Sequence, residues 1–321
     1  MSREKTTAAF TKDELDILSR GLNIPVDDPE FIETGLLDYI KKAHKSRIHS
    51  SNEPLPDNVK CVSKFLQLFR DSKNSKCLSI GHNLLDDSLV QVFTELLRKN
   101  TNLKELSFYL VGEKDIEIMN KLIEILKGNH TVKTLILTQT TNRIASLDIK
   151  PLANILRDNN TALKNLSLNY TWITRESFKL LAEALSVNET LKTLNLSNNK
   201  ITSEDINILA EFLKSNNTLE VLHLSDNKIT NEGTQILAEA LKINKALEML
   251  DLSSNKITSE GIKVLAKALR KNDTLKILEL HNTAASKALF TAGLFGTSGT
   301  KRIPSYMGTC GRTAKSVKSV F

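Results

Sequence analysis

Hydrophobic and polar positions change their period twice in every 28 residues or so over most of the chain. Apolar residues first alternate as Leu-x-Leu, the spacing of a strand with one buried face, then recur three and four apart, the spacing of an amphipathic helix. In the clearest stretch these are Leu250 and Leu252, followed by Ile262, Leu265, Ala266 and Leu269. Steps of 28 align Leu163-x-x-Leu166-x-Leu168, Leu191-x-x-Leu194-x-Leu196, Leu219-x-x-Leu222-x-Leu224, Leu247-x-x-Leu250-x-Leu252 and Leu275-x-x-Leu278-x-Leu280. Upstream the pattern continues at Val132, Leu103 and Ser75, with spacings of 31, 29 and 28. Eight units therefore start at 75, 103, 132, 163, 191, 219, 247 and 275, each predicted to hold one short strand and one helix.

The connections carry their own chemistry. Asn199, Asn227 and Asn255 recur between strand and helix, each followed two residues on by isoleucine. A side-chain amide at such a bend can satisfy backbone groups of neighbouring turns. Thr230 to Glu232 and Thr258 to Glu260 then supply a cap and an acidic first turn, both favourable at a helix N-terminus. A single unit buries too few aliphatic side chains to offset the entropy of ordering its backbone. Units must therefore stack, with parallel strands lining a concave sheet, helices outside, and the wider helical layer forcing curvature.

The segments LKTLNLSNNKITSEDINILAEFLKSNN and LEMLDLSSNKITSEGIKVLAKALRKND closely resemble leucine-rich repeats of the ribonuclease-inhibitor class. Similar repeats occur in the sensor regions of NOD-like receptors and in the Ran GTPase-activating protein. The resemblance covers about two-thirds of the chain and implies an α/β fold, a curved leucine-rich-repeat solenoid with a small helical N-terminal cap. It implies recognition of a protein ligand, or regulation of an enzyme such as a small GTPase.

Three parts are expected. Residues 1–57 read as a helical cap or adaptor and linker: Thr11-x-x-Glu14 opens one short helix, and Ile32, Leu36 and Ile40 share a face between Pro29 and Lys45. Residues 58–285 read as the solenoid, with Val62, Phe65, Leu66 and Phe69 forming the helix of an incomplete capping unit. Residues 286–321, rich in Gly, Ser, Thr and basic side chains, read as a disordered tail. Its GTSGTK stretch lacks the spacing of a phosphate-binding loop.

Composition changes this picture little. Hydrophobic residues make up 40% but aromatics only 5%, which suits aliphatic layers. Six basic residues and no acidic ones follow Ala284, leaving +1 of the formal +7 for residues 1–283. The basic character therefore belongs to the tail, where contact with nucleic acid or acidic membrane is conceivable but not the main expectation. Cys61, Cys77 and Cys310 are too few for a disulfide framework or metal knuckle and depart from the cysteine richness of the ribonuclease inhibitors. With no apolar run of membrane-spanning length and no export signal, a cytoplasmic chain without integral membrane association is expected.

Function should sit on the concave face, at positions pointing away from the core. The position between the two strand leucines gives Ser79, Ser107, Ile136, Ser167, Asn195, His223, Asp251 and Glu279. The next outward position gives Gly81, Tyr109, Thr138, Asn169, Ser197, Ser225, Ser253 and His281. Candidate protein-binding residues are Tyr109, Tyr170, Trp172, Asn195, His223, Asp226, Asp251, Glu279 and His281. Aromatics dominate binding energy once a partner desolvates them. Polar side chains on an exposed strand face need no catalytic explanation, and no nucleophile is identifiable beside them, so neither catalysis nor a cofactor nor a metal is expected.

Overall fold

The computed structural model describes residues 45–48, 76–80, 87–110, 113–139, 147–159, 162–281 and 283. Among these, nine strands form one parallel sheet in sequential order. They are β1 (Lys45–Ile48), β2 (Cys77–Ile80), β3 (Glu105–Leu110), β4 (Thr134–Gln139), β5 (Asn165–Ser167), β6 (Thr193–Asn195), β7 (Val221–His223), β8 (Met249–Asp251) and β9 (Ile277–Glu279). Helices follow most strands: α1 (Asp87–Lys99), α2 (Glu113–Ile125), α3 (Lys150–Arg157), α4 (Arg175–Ser186), α5 (Ser203–Ser215), α6 (Asn231–Ile243) and α7 (Ser259–Leu269). The fold is a curved leucine-rich-repeat solenoid.

Register follows the spacing read from the sequence. Cys77, Glu105, Thr134, Asn165, Thr193, Val221, Met249 and Ile277 are consecutive partners, each two residues into its unit. A parallel sheet cannot slip by one residue without exposing its leucines, so the aliphatic pattern fixes this pairing. Leu166, Leu194, Leu222 and Leu250 are wholly buried in one continuous core with Ile206, Leu209, Leu237 and Leu265 from the helices. In the last described unit Leu275 and Leu278 are only half-buried, since no described layer packs beyond them.

The sheet extends one strand further than expected. Residues Lys45–Ile48, within the segment assigned to a helical cap and linker, pair with Cys77–Ile80. Ser46 stands where the other strands carry their first leucine, so the alternation that marks a strand is missing there. The capping helix expected at Val62, Phe65, Leu66 and Phe69, the helices expected before residue 45 and the tail after 285 lie outside the described residues.

Two rows of asparagines tie the units together, one at each end of the strands. After the strands, Asn199 donates to the carbonyls of Leu168 in the preceding unit (2.7 Å) and Leu196 in its own (3.1 Å). Its Oδ1 accepts from the amides of Thr171 and Trp172. Asn227 accepts from Asn199 and Ile201, and Asn255 from Ile229. Among the described residues Thr171 and Thr283 stand at the ends of this row, donating their hydroxyls to the carbonyls of Leu168 and Leu280.

Before the strands, Asn188, Asn216, Asn244 and Asn272 do the same work. Asn244 donates to Leu213 (2.7 Å) and Asn216 (3.1 Å) and accepts from the amides of Ala246 and Leu247. Asn100 and Asn129 hold the equivalent turns upstream. Buried backbone groups that neither helix nor sheet can reach are paired in this way.

The helix starts follow the threonine pattern. Thr174 and Thr258 accept backbone N–H bonds at the starts of α4 and α7. At α5 the Asp205 carboxylate accepts from both the amide and the hydroxyl of Thr202. Gly233 and Gly261 lie where adjacent helices approach closely. A Cβ on Gly261 would fall 2.6 Å from Asn231 Oδ1 and 2.7 Å from Thr234 Oγ1.

Candidate protein-binding face

Parallel register converts spacing along the chain into straight rows across the sheet. Ser167, Asn195, His223, Asp251 and Glu279 occupy adjacent strands as consecutive partners. The register of β1 places Arg47 at the head of the same row, opposite Ser79.

The candidates differ in accessibility. Tyr170, Asp226 and His281 are exposed, with Tyr170 at 45%. Tyr109, Trp172, Asn195, His223 and Glu279 are half-buried. Asp251, expected to be solvated, is buried at 8%, and the small side chains Ser107, Ser167 and Ser197 are buried too. Strands lie about 4.8 Å apart, so a short side chain on such a face is shielded by longer neighbours.

His223 and Asp251 are brought together. His223 Nδ1 lies 3.6 Å from Asp251 Oδ2, within ion-pair range and longer than a well-formed hydrogen bond. The other oxygen, Oδ1, accepts from the Ser253 amide at 2.9 Å. Burial pushes the Asp251 carboxyl towards its neutral form, but His223 and Ser253 outweigh it and hold the group below the usual carboxylate range. Asn195 makes the matching turn, accepting from the Ser197 amide. Beside this row the hydroxyls of Ser197 and Ser225 meet at 2.9 Å, and Ser253 accepts from the His281 amide.

The rim after the strands holds the aromatic candidates. Tyr170, Asn198, Asp226 and Ser254 fall 28 residues apart, and all have left-handed backbone, with φ between 54° and 59°. Asparagine and aspartate tolerate that conformation, whereas for tyrosine it is strained. Trp172 (φ 54°) and Lys200 (φ 61°) repeat the conformation two residues on. Lys200 Nζ sits 3.4 Å from the centre of the Trp172 ring, a cation–π contact. Tyr109, on β3, is separated from this group by β4. An open cleft of about 560 Å³ lies at the other rim, between the C-terminal ends of α1 and α2, away from all the candidates.

Sequence reasoning missed a row of lysines at the same rim. Lys200, Lys228 and Lys256 are exposed and 28 apart. Their signal in the sequence is the repeat of Asn-Asn-Lys, Asp-Asn-Lys and Ser-Asn-Lys, each lysine following the buried asparagine of its bend.

Comparison with known families agrees with the repeat architecture. The family described as Leucine Rich repeat matches residues 187–206, 215–238 and 244–266. No curated protein matches the chain. Among solved structures, leiomodin-1 actin-binding site 2 is 27% identical, with a TM-score of 0.41, covering 43% of this chain and 81% of that one. The Caenorhabditis elegans tropomodulin C-terminal domain is 21% identical, with a TM-score of 0.40, covering 44% and 87%. A Bacteroides fragilis protein is 13% identical, with a TM-score of 0.45, covering 83% and 75%. Among the described residues no helix is long and apolar enough to cross a membrane.

Proposed function

We propose that the chain is a protein-interaction module that grips a protein ligand with the concave face and adjoining rim of its C-terminal half. The observation that carries this reading is the strained pair Tyr170 and Trp172. A tyrosine nearly half exposed in a left-handed conformation contributes little to the core, and its backbone costs about 1–2 kcal/mol that asparagine would avoid. Strain of this kind persists where function retains it.

Asn195, His223, Asp251, Glu279 and His281 extend the surface as polar positions on a rigid sheet. His223 and Asp251 orient one another before any partner arrives, which lowers the ordering cost of binding. The aromatics supply contact area, and the polar row supplies discrimination.

Affinity capture with the immobilised chain, followed by mass spectrometry, identifies the ligand. The reading expects the captured protein to be lost from a Tyr170→Ala, His223→Ala, Asp251→Asn triple variant whose far-ultraviolet circular dichroism matches wild type. Equal recovery on both columns counts decisively against it.

A further inference from the structure

We infer that the rim carrying Trp172, Lys200, Lys228 and Lys256 is a second binding surface, built for an extended acidic segment of a protein partner. The three lysines lie on consecutive bends that are hydrogen-bonded to one another. The Lys228 amide donates to the Ile201 carbonyl (2.8 Å) and the Lys256 amide to Ile229 (2.9 Å), with Thr202 and Lys228 bridged in parallel. The bends therefore continue the spacing of the sheet, and like charges stand about 5 Å apart at the backbone.

Like charges facing each other across neighbouring strands are destabilising. Elsewhere these units neutralise their lysines across one repeat, as in Lys192–Glu220, Lys245–Asp273 and Lys276–Glu248. Among the described residues, Lys200, Lys228 and Lys256 have no such carboxylate. Lys200 instead rests on the Trp172 ring, which stands at the position of the row one unit earlier. The rim thus presents an aromatic platform followed by three evenly spaced cations.

The width of the row selects the partner. It is one residue broad and flanked by carboxylates, with exposed Asp226 two positions before Lys228 and Glu204 and Asp205 paired to Arg175. A phosphate polymer, charged at every link, would meet Asp226. A peptide can set an uncharged residue opposite it and carboxylates opposite the lysines.

This surface shares Trp172 with the proposed ligand face but not His223, so variants at the lysines and at His223 separate the two tests. The probe is a fluorescein-labelled peptide of alternating glutamate and glycine with one terminal leucine, at low ionic strength. Trp172 is the single tryptophan of the chain, so its emission reports binding directly. Wild type should bind with a change in that emission. A Lys228→Glu, Lys256→Glu double variant should weaken binding by roughly tenfold or more without lowering the melting temperature. Asp226→Asn should tighten binding, and His223→Ala should leave it unchanged while reducing recovery of the captured ligand. The inference is overturned by absence of peptide binding, by unchanged affinity in the double variant, or by oligothymidylate or phosphatidylserine vesicles binding more tightly with the same lysine dependence.

Discussion

Replacing Asn227 with alanine isolates what the bend asparagines contribute. Asn227 donates to the carbonyls of Leu196 (3.1 Å), Leu224 (3.0 Å) and Ser225 (3.2 Å). Each of those carbonyls keeps another donor: Asn199 Nδ2, Asn255 Nδ2 and the Asn198 amide, respectively. The acceptor side has no substitute. The amides of Asn199 and Ile201 both point at Asn227 Oδ1, at 3.0 and 2.9 Å, and both residues are buried. Two stranded buried donors cost about 1–3 kcal/mol each, so a loss of roughly 3–4 kcal/mol is expected once some water reaches the bend. Urea unfolding, followed by circular dichroism and by Trp172 emission, measures it. Asn227→Asp serves as control. It keeps the acceptor but turns a carboxylate onto three carbonyl oxygens, which raises its folded-state pKa above about 3.9. Its deficit should be large at neutral pH, growing as pH rises through that raised value, and should shrink below about pH 4. A cost below about 1 kcal/mol for Asn227→Ala, or a pH-independent deficit for Asn227→Asp, would refute the reasoning.

Three further outcomes follow from the same geometry. Tyr170→Asn copies the residue that the next unit uses at this left-handed position, so stability should rise by about 1 kcal/mol in thermal unfolding while ligand recovery falls; an unchanged melting temperature would remove the argument from strain. Gly261→Ala should destabilise by about 1–3 kcal/mol in urea, because the new methyl displaces Asn231, whose Oδ1 accepts from the Thr258 amide and whose Nδ2 donates to its hydroxyl. Asp251 has a folded-state pKa below its unfolded value near 3.9, so its contribution is complete above about pH 4 and is lost as pH falls through the depressed value. Asp251→Asn should therefore flatten stability against pH in that acid range, and identical slopes for variant and wild type would exclude the His223 and Ser253 interactions as its cause.

Strand positions and register were legible in the sequence because the leucine spacing leaves one pairing that buries every aliphatic row. The role of Asn199, Asn227 and Asn255 was legible for a related reason, since a polar side chain at a fixed bend among buried neighbours has only backbone to bind. The second asparagine row was equally regular, three residues before each starting leucine at 188, 216, 244 and 272. Its role is hidden because asparagine between helix and strand reads as ordinary loop polarity. β1 was hidden by Ser46, which breaks the alternation although the backbone still pairs. Burial of Asp251 could not be read from period alone, which assigns a side but not the depth at which neighbours shield it. The left-handed backbone at Tyr170 runs against the steric preference of its own residue type and became visible only in three dimensions.

The two asparagine rows have a mechanical consequence. They run along opposite margins of the ribbon, and from β5 to β9 both margins are stitched: by Asn188, Asn216, Asn244 and Asn272 before the strands, and by Asn199, Asn227 and Asn255 after them. Units fastened along both margins resist stretching and twisting together, because the ribbon cannot hinge open on either side. Pulled end to end, the stretch from β6 to β9 should therefore come apart as one block, not strand by strand.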